Sequence, residues 1–257
     1  MPPHVTALYR YPVKGLSPEP LERVTLEPGG TMPADRAWAI ENGSRDVDPE
    51  APRYFPKTKF LMLMKNERLA ALDTRYDDAT HILTIHRKTP QGSRQVASGD
   101  LSTPVGRQMI EQFIAAWMAD DLRGAPRLVT APDFSFSDVP MKVLSLINLE
   151  SVRDLERVTG SAIDPLRFRA NVHVEGIPAW AELDWEGRAI RLGGIEARGE
   201  LRTRRCAATN VNPDTAERDM NLPQALRLAF GHMDMGIYLS VTQGGTLAAG
   251  DTLDAPA

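Results

Sequence analysis

Along this chain, apolar and polar residues alternate with the two-residue period of strands more often than with the longer period of helices. Val5-Thr6-Ala7-Leu8-Tyr9-Arg10-Tyr11 is rich in β-forming residues and ends at Pro12. Arg23-Val24-Thr25-Leu26 alternates and runs into the turn residues Pro28-Gly29-Gly30. Arg36-Ala37-Trp38-Ala39-Ile40 predicts another strand, stopped by Asn42-Gly43. Residues 43–57 are polar and proline-rich and predict a loop. Residues 60–64 form an apolar run that fits a short helix or a strand. Leu69-Ala70-Ala71-Leu72 and Ile82-Leu83-Thr84-Ile85 predict a strand pair across a turn at Asp77-Asp78.

Two stretches have helical spacing. Ser102-Thr103-Pro104 opens the first, with hydroxyls to cap free N–H groups and a proline that the first turn tolerates. Met109, Ile110, Phe113, Ile114 and Trp117 then recur on one face. Asn148 caps the second, which carries Val152, Leu155 and Val158 and stops at Gly160. Arg127-Leu128-Val129 and Val143-Leu144-Ser145-Leu146 lie between them and read as strands. From Asn171 the β pattern returns in Val172-His173-Val174, Ala189-Ile190-Arg191-Leu192 and residues 195–202. Residues 222–230 predict a short helix with Pro223 in its first turn, and 237–241 predict the last long strand. Gly244-Gly245-Thr246-Leu247 and Gly250-Asp251 predict turns into a closing edge. The character changes near residues 100–135. This divides a β-rich N-terminal part from a larger C-terminal part packed on it, a mostly β, α+β architecture.

Composition narrows the function. The chain has 257 residues, ample for a sizeable core, and its formal net charge of −4 gives no reason to expect nucleic acid. No apolar run is long enough to span a membrane as a helix, and the start lacks the pattern of a secretory signal. A cytoplasmic protein is expected. Loops of the phosphate-binding Gly-x-x-x-x-Gly-Lys type, His-Glu-x-x-His and Cys-x-x-Cys are absent. The five histidines are scattered and read as surface or structural groups.

Cys206 is the only cysteine, which excludes an internal disulfide and an iron–sulfur cluster held by this chain alone. Its neighbours Arg202, Arg204 and Arg205 favour a thiolate, which is both a nucleophile and a soft metal ligand. A small, inert core residue is the competing reading. Three further segments place cations beside turns or strand ends: Tyr11-Pro12-Val13-Lys14-Gly15, Asp35-Arg36-Ala37-Trp38 and Arg167-Phe168-Arg169-Ala170-Asn171. Lysine and arginine in such a set suit a buried phosphate, arginine as a fork and lysine as a point charge. Solvated surface charge is the alternative for each alone.

Read in order, these segments resemble the MOSC family, the domain at the C-terminus of molybdenum cofactor sulfurases and in mitochondrial amidoxime-reducing components. Tyr11-Pro12-Val13-Lys14 and Asp35-Arg36-x-Trp38 resemble the family's N-terminal β-barrel. Phe136-Ser137-Asp138, Phe168-Arg169-x-Asn171, Trp180-x-Glu182-x-x-Trp185 and Arg205-Cys206-x-x-Thr209-x-Val211-x-Pro213-x-Thr215 resemble the MOSC domain. The run beginning at Arg205 is the most specific part. Gly231-His232, Gly236-Ile237-Tyr238 and Gly250-Asp251 complete the match. The resemblance implies an N-terminal β-barrel domain at 1–100 and a larger MOSC β-barrel with peripheral helices at 101–257.

It also implies a function. Cys206 would ligate the molybdenum of a molybdopterin cofactor, with Arg204 and Arg205 keeping it deprotonated. Lys14, Arg36 and Arg169 would hold the pterin phosphate, with Asn171 and Ser137 nearby. Thr209 would hydrogen-bond within the loop, and Asp214 would lie at the open face of the metal, an Asx-type turn being the other reading of that residue. The implied activity is reduction of small N-hydroxylated compounds, with electrons from a separate ferredoxin- or cytochrome-type partner because no ferredoxin module is present in the sequence. Pyridoxal phosphate binding is a further expectation that the family carries. A non-redox cofactor-binding or delivery protein, a sulfur carrier using a Cys206 persulfide, and a binding module without cofactor are the alternatives. Three departures stand out. Ser137-Asp138-Val139-Pro140 is one residue shorter than the family's hydroxyl-rich run, Ala216 replaces a glycine, so its turn is expected to differ, and Arg169-Ala170-Asn171 lacks a proline.

Overall fold

The computed structural model describes residues 2–256 apart from 49, 52, 90, 91 and 132. In chain order the strands are β1 (His4–Arg10), β2 (Glu19–Leu21), β3 (Arg23–Leu26), β4 (Trp38–Asn42), β5 (Leu72–Tyr76), β6 (Ile82–Thr89) and β7 (Gly92–Asp100). Helix α1 (Pro104–Trp117) and strands β8 (Pro126–Thr130) and β9 (Leu144–Asn148) follow, then α2 (Leu149–Thr159) and β10 (Val172–Glu175). The chain continues through β11 (Ala189–Leu192), β12 (Ile195–Arg204), α3 (Leu222–Phe230), β13 (Asp234–Gln243), β14 (Gly245–Ala248) and β15 (Leu253–Asp254). The fold is mostly β, as the periodicity predicts.

The main sheet has eight strands in the order β15-β11-β12-β13-β9-β10-β1-β2. The first strand of the chain is thus stitched into the sheet of the C-terminal part, with His4 opposite Glu175 and Leu8 opposite Val172. β14 returns to pair with β3, Gly245 facing Leu26. Strands β5-β6-β7 form a separate antiparallel sheet, and β4 pairs with β8. Inward residues of the main sheet, among them Val5, Leu8, Leu146, Val172, Ile195 and Ile237, make one core. A second core joins Leu83, Ile85, Ile110 and Ile114 of β6 and α1 to Val13, Trp38 and Val211. Among the described residues no helix is long and apolar enough to cross a membrane.

The helix ends follow from local chemistry. Thr103 Oγ1 accepts from the Gly106 N–H (3.0 Å) and Asn148 Oδ1 from the Glu150 N–H (3.0 Å). Gly160 and Gly231 close α2 and α3 in the left-handed conformation that costs glycine nothing. Several expectations change. Residues 67–71 form a 3-10 turn, so the predicted strand begins only at Leu72. Residues 60–64 are neither helix nor strand beyond a single bridge from Phe60 to Glu41. Residues 245–248 are strand rather than turn. β2 and β7 carry no apolar alternation. β2 is an edge strand that tolerates Pro20, and the first half of β7 is exposed.

Candidate functional site

Cys206 lies two residues past the end of β12, in extended backbone, and opens a 3-10 turn over Ala207–Asn210. The Thr209 N–H and hydroxyl both donate to the Cys206 carbonyl, at 3.1 and 3.0 Å, and clamp the loop. This is the hydrogen bond expected of Thr209. The arginines before Cys206 behave differently from expectation. Arg205 is buried, donating through Nε to Met235 O and through Nη1 to Phe168 O, both at 2.8 Å, and Arg204 is exposed. The cation that reaches the sulfur is Lys57, whose Nζ stands 3.4 Å from Sγ. Lys57 also donates to Asp138 Oδ2 (2.7 Å), while Lys14 Nζ donates to Asp138 Oδ1 (2.6 Å) and to Phe136 O (2.8 Å).

A second cluster forms around Tyr11. The Arg36 and Arg169 guanidinium carbons lie 4.4 and 4.2 Å from its ring centroid, within cation–π range. Both arginines occupy left-handed backbone, with φ of 50° and 53°. Arg36 is therefore excluded from β4, which starts at Trp38, and its Nη2 donates to Arg169 O (2.8 Å). Arg169 caps the turn Pro165–Phe168 instead of opening a strand, and its Nη1 donates to Leu16 O (2.8 Å). Strain at non-glycine residues of this kind persists only where surrounding contacts hold it.

The two clusters meet in one cleft of about 120 Å³. Lys14, Arg36, Ser137, Arg169, Asn171, Arg204, Arg205, Cys206 and Thr209 all contribute to its wall. Seven cationic side chains line it against two carboxylates, Asp35 and Asp138. Burial pulls the Lys14 ammonium below its usual value despite Asp138. Burial, reinforced by Arg36, brings Arg169 down to about 10. For Lys57 burial opposes the charge, but Asp138 and Cys206 outweigh it and the value rises. Burial pushes the Asp138 carboxyl up, yet Lys14 and Lys57 reverse this and hold it well below the carboxylate range.

Among the described residues, five buried side-chain polar atoms have no hydrogen-bond partner, and four belong to this wall: Arg167 Nε, Arg169 Nη2, Thr203 Oγ1 and Arg205 Nη2. One unsatisfied buried donor costs about 1–3 kcal/mol. Four around one space, three of them on guanidinium groups, describe a seat for an anion with several acceptor oxygens. The described residues contain no group of three or more His, Cys, Asp or Glu able to hold a metal ion. A metal here would need donors beyond the Cys206 thiolate, and the described residues group none of these types around it.

Other predicted residues are placed less directly. Asn171 lines the cleft, but its Oδ1 accepts from the Ser145 N–H (3.0 Å) and hydroxyl (2.9 Å) and its Nδ2 donates to Tyr9 O (3.1 Å), bracing three strands. The Ser137 hydroxyl donates to Val139 O (2.6 Å). Asp214 does not line the cleft. It borders an adjoining, mainly apolar cavity of about 290 Å³, is exposed, and pairs with Lys88 (3.3 Å). Asn212 Oδ1 accepts from the N–H groups of Asp214 and Thr215, which is the Asx-type turn. Ala216 has a left-handed φ of 60°, a conformation that favours glycine. Lys57, Tyr11 and Tyr238 line or support the cleft without having been singled out. Lys57 sits in a stretch read as loop, where one lysine carries no signal. Tyr11, which opens the Tyr-Pro-Val-Lys match, was recoverable.

A cationic, thiol-bearing cleft between an N-terminal β unit and a large β-sheet defines the class of protein. The MOSC N-terminal beta barrel domain model matches residues 3–120 and the MOSC domain model matches residues 132–254, and the chain belongs to the MOSC family. Molybdenum cofactor sulfurase of Drosophila erecta is 24% identical over 265 residues, covering 93% of this chain and 32% of that protein. Mitochondrial amidoxime-reducing component 1 of Mus musculus is 29% identical over 136 residues, covering 48% of this chain and 38% of that protein. The alignments thus take in about a third of the length of these relatives. The solved structure of the YUAD protein from Bacillus subtilis covers 98% of this chain and 94% of its own at 16% identity and a TM-score of 0.45.

Proposed function

We propose that the cleft holds a molybdopterin-type molybdenum cofactor and that the protein is an oxidoreductase acting on small N-hydroxylated compounds. The observation that carries this reading is the set of four unpartnered buried donors beside a single thiol. An organic cofactor that brings its own metal donors and a phosphate fits such a wall, whereas a bare metal ion does not. When bound, the cofactor supplies two-electron chemistry at its metal. The protein residues bind and orient. Cys206 supplies a thiolate, and Lys57 at 3.4 Å stabilises its negative charge. Lys14, Arg36, Arg169 and Arg205 neutralise the phosphate, Arg204 adds charge at the exposed edge, and Thr209 keeps the Cys206 loop closed. Electrons come from a separate ferredoxin- or cytochrome-type protein, and the site is a cytoplasmic one.

The test is molybdenum and pterin content of protein made in a host that synthesises the cofactor, followed by turnover of an N-hydroxylated substrate with an artificial electron donor. Metal and pterin at background level would refute the reading. Pyridoxal phosphate, the other phosphate-bearing ligand expected for the family, serves as competitor in the same binding assay. One observation also favours a second reading. The Lys57 ammonium would stabilise a persulfide on Cys206 as well as a thiolate. Cyanide-labile sulfur in stoichiometric amount, with no metal, would select the sulfur-carrier function.

A further inference from the structure

We infer that the Asp138 carboxylate is a built-in competitor, seated where the phosphate of the ligand binds, and that it sets the affinity and charge selectivity of the cleft. The inference rests on the phosphate-binding reading above and adds to it a residue that opposes binding. Asp138 spans two ammonium groups, Oδ1 to Lys14 at 2.6 Å and Oδ2 to Lys57 at 2.7 Å. Those lysines come from separate parts of the chain, one after β1 and one in the turn Lys57–Lys59. A carboxylate bridging two lysines presents the same two charged oxygens that a phosphate would.

The two carboxylates of the cleft differ in what holds them. Asp35 is buried, accepts from the Tyr11 N–H (2.8 Å) and is paired with Arg36, so it belongs to the scaffold. Asp138 lies in a stretch without helix or strand between β8 and β9, and 41% of its side chain is exposed. Its own charge can rotate into water, and doing so leaves the buried Lys14 ammonium for an incoming anion to pair. Its backbone is tethered through the Tyr54 hydroxyl, which donates to Asp138 O (3.0 Å), so the displaced carboxylate stays close at high effective concentration.

The charge balance then gives selectivity. With Asp138 seated, two lysines share one negative charge. An incoming monoanion only replaces one charge by another and must outcompete a tethered group. A phosphate dianion brings a second charge and further oxygens for donors that a carboxylate leaves unpartnered, Arg169 Nη2 and Arg205 Nη2. Occupancy by an internal competitor lowers apparent affinity by the fraction of molecules in which the seat is free, so a seat occupied nine times in ten weakens binding about tenfold.

The experiment uses cofactor-free protein from a host that does not synthesise the cofactor, titrated calorimetrically with inorganic phosphate and with nitrate at pH 8. Asp138→Asn and Asp138→Ser are expected to bind phosphate about tenfold more tightly than the parent and to gain measurable nitrate binding. Equal or weaker phosphate affinity in both variants overturns the inference and leaves the phosphate reading standing. Absence of phosphate binding in all three proteins overturns both. A measurement on the parent guards against misfolded variants. The parent itself should bind phosphate with no measurable nitrate binding, because a monoanion only replaces the Asp138 charge between Lys14 and Lys57. Nitrate binding to the parent as tight as phosphate binding overturns the inference.

Discussion

Removing the side chain of the partly buried Arg169 should abolish ligand retention while leaving the ligand-free protein almost as stable as before. Burial and the nearby Arg36 lower its pKa from 12.5 to about 10. At neutral pH, keeping the guanidinium charged therefore costs about 3 kcal/mol. Against this stand the bond to Leu16 O at 2.8 Å and the stacking on Tyr11 at 4.2 Å. A charged donor contributes about 1.5–3 kcal/mol and a partly buried cation–π contact about 1 kcal/mol. The terms nearly cancel, so Arg169→Ala should change unfolding free energy by no more than about 1–2 kcal/mol, below the 3–5 kcal/mol of a broken buried ion pair. The anion seat, by contrast, loses the unpartnered Nη2 donor and one of its charges. Urea unfolding with an unchanged slope, paired with molybdenum and phosphate content after dialysis, separates the two effects. Arg169→Lys should fall between parent and Arg169→Ala in retention, because it keeps the charge but loses the fork. A stability loss above about 3 kcal/mol in the ligand-free Ala variant would show that Arg169 is a structural residue and refute this reasoning.

Further expectations concern other parts of the molecule. Cys206→Ser should fold normally, since the sulfur accepts from Lys57 Nζ and a hydroxyl can do the same, and should retain no molybdenum; full metal content would mean that another group ligates it. His173 is buried, and burial followed by Arg205 lowers its pKa to about 4, so the unfolded chain binds its proton more readily. Stability from this group is complete above about pH 6.5 and is lost as pH falls towards 4, by about 3 kcal/mol, so His173→Gln should be less acid-labile by that amount in urea titrations at pH 7 and 4. Glu182 has the opposite sign. Burial raises its folded pKa above 4.5 despite bonds from Asn148 and Ser151, so its contribution is present at low pH and lost as pH rises through the raised value. Glu182→Gln should gain on the parent between pH 4 and 8, and a pH-independent difference would contradict the assignment. Gly236 has φ 77°, and an added Cβ would stand 2.3 Å from Leu146 O and 3.1 Å from Arg205 Nη2. Gly236→Ala should cost at least about 2 kcal/mol in thermal unfolding.

What could be read from the chain divides along physical lines. Thr103 and Asn148 were legible as helix caps because each bonds an N–H two or three residues away. β7 was not, because its exposed half carries Ser93, Arg94 and Gln95 with no apolar face to generate a pattern. Its pairing with β6, Ile82 opposite Asp100 and Thr89 opposite Gly92, is fixed by the partner strand. The strand expected at residues 69–72 failed for a related reason. An apolar run of four satisfies a buried turn as well as a strand, and Leu69 is buried in the second core either way.

The sequence by itself determined the β-rich composition, the helix boundaries, the single thiol and the order of the cations, since each is a property of neighbours along the chain. Only the family resemblance nominated Lys14, Arg36, Arg169 and Cys206 for one site, and the cleft contains all four. Tertiary structure alone decided which charges touch. Lys57 meets Cys206 across 149 residues and Lys14 meets Asp138 across 124, separations at which local propensity carries no information. It also committed Arg205 to the carbonyls of Phe168 and Met235, and set Asp214 in the neighbouring cavity although it lies eight residues after Cys206. The reason is geometric. Backbone direction at a strand end and the left-handed residues 36 and 169 are set by the packing of the sheets around them, and a side chain's reach is measured from that backbone.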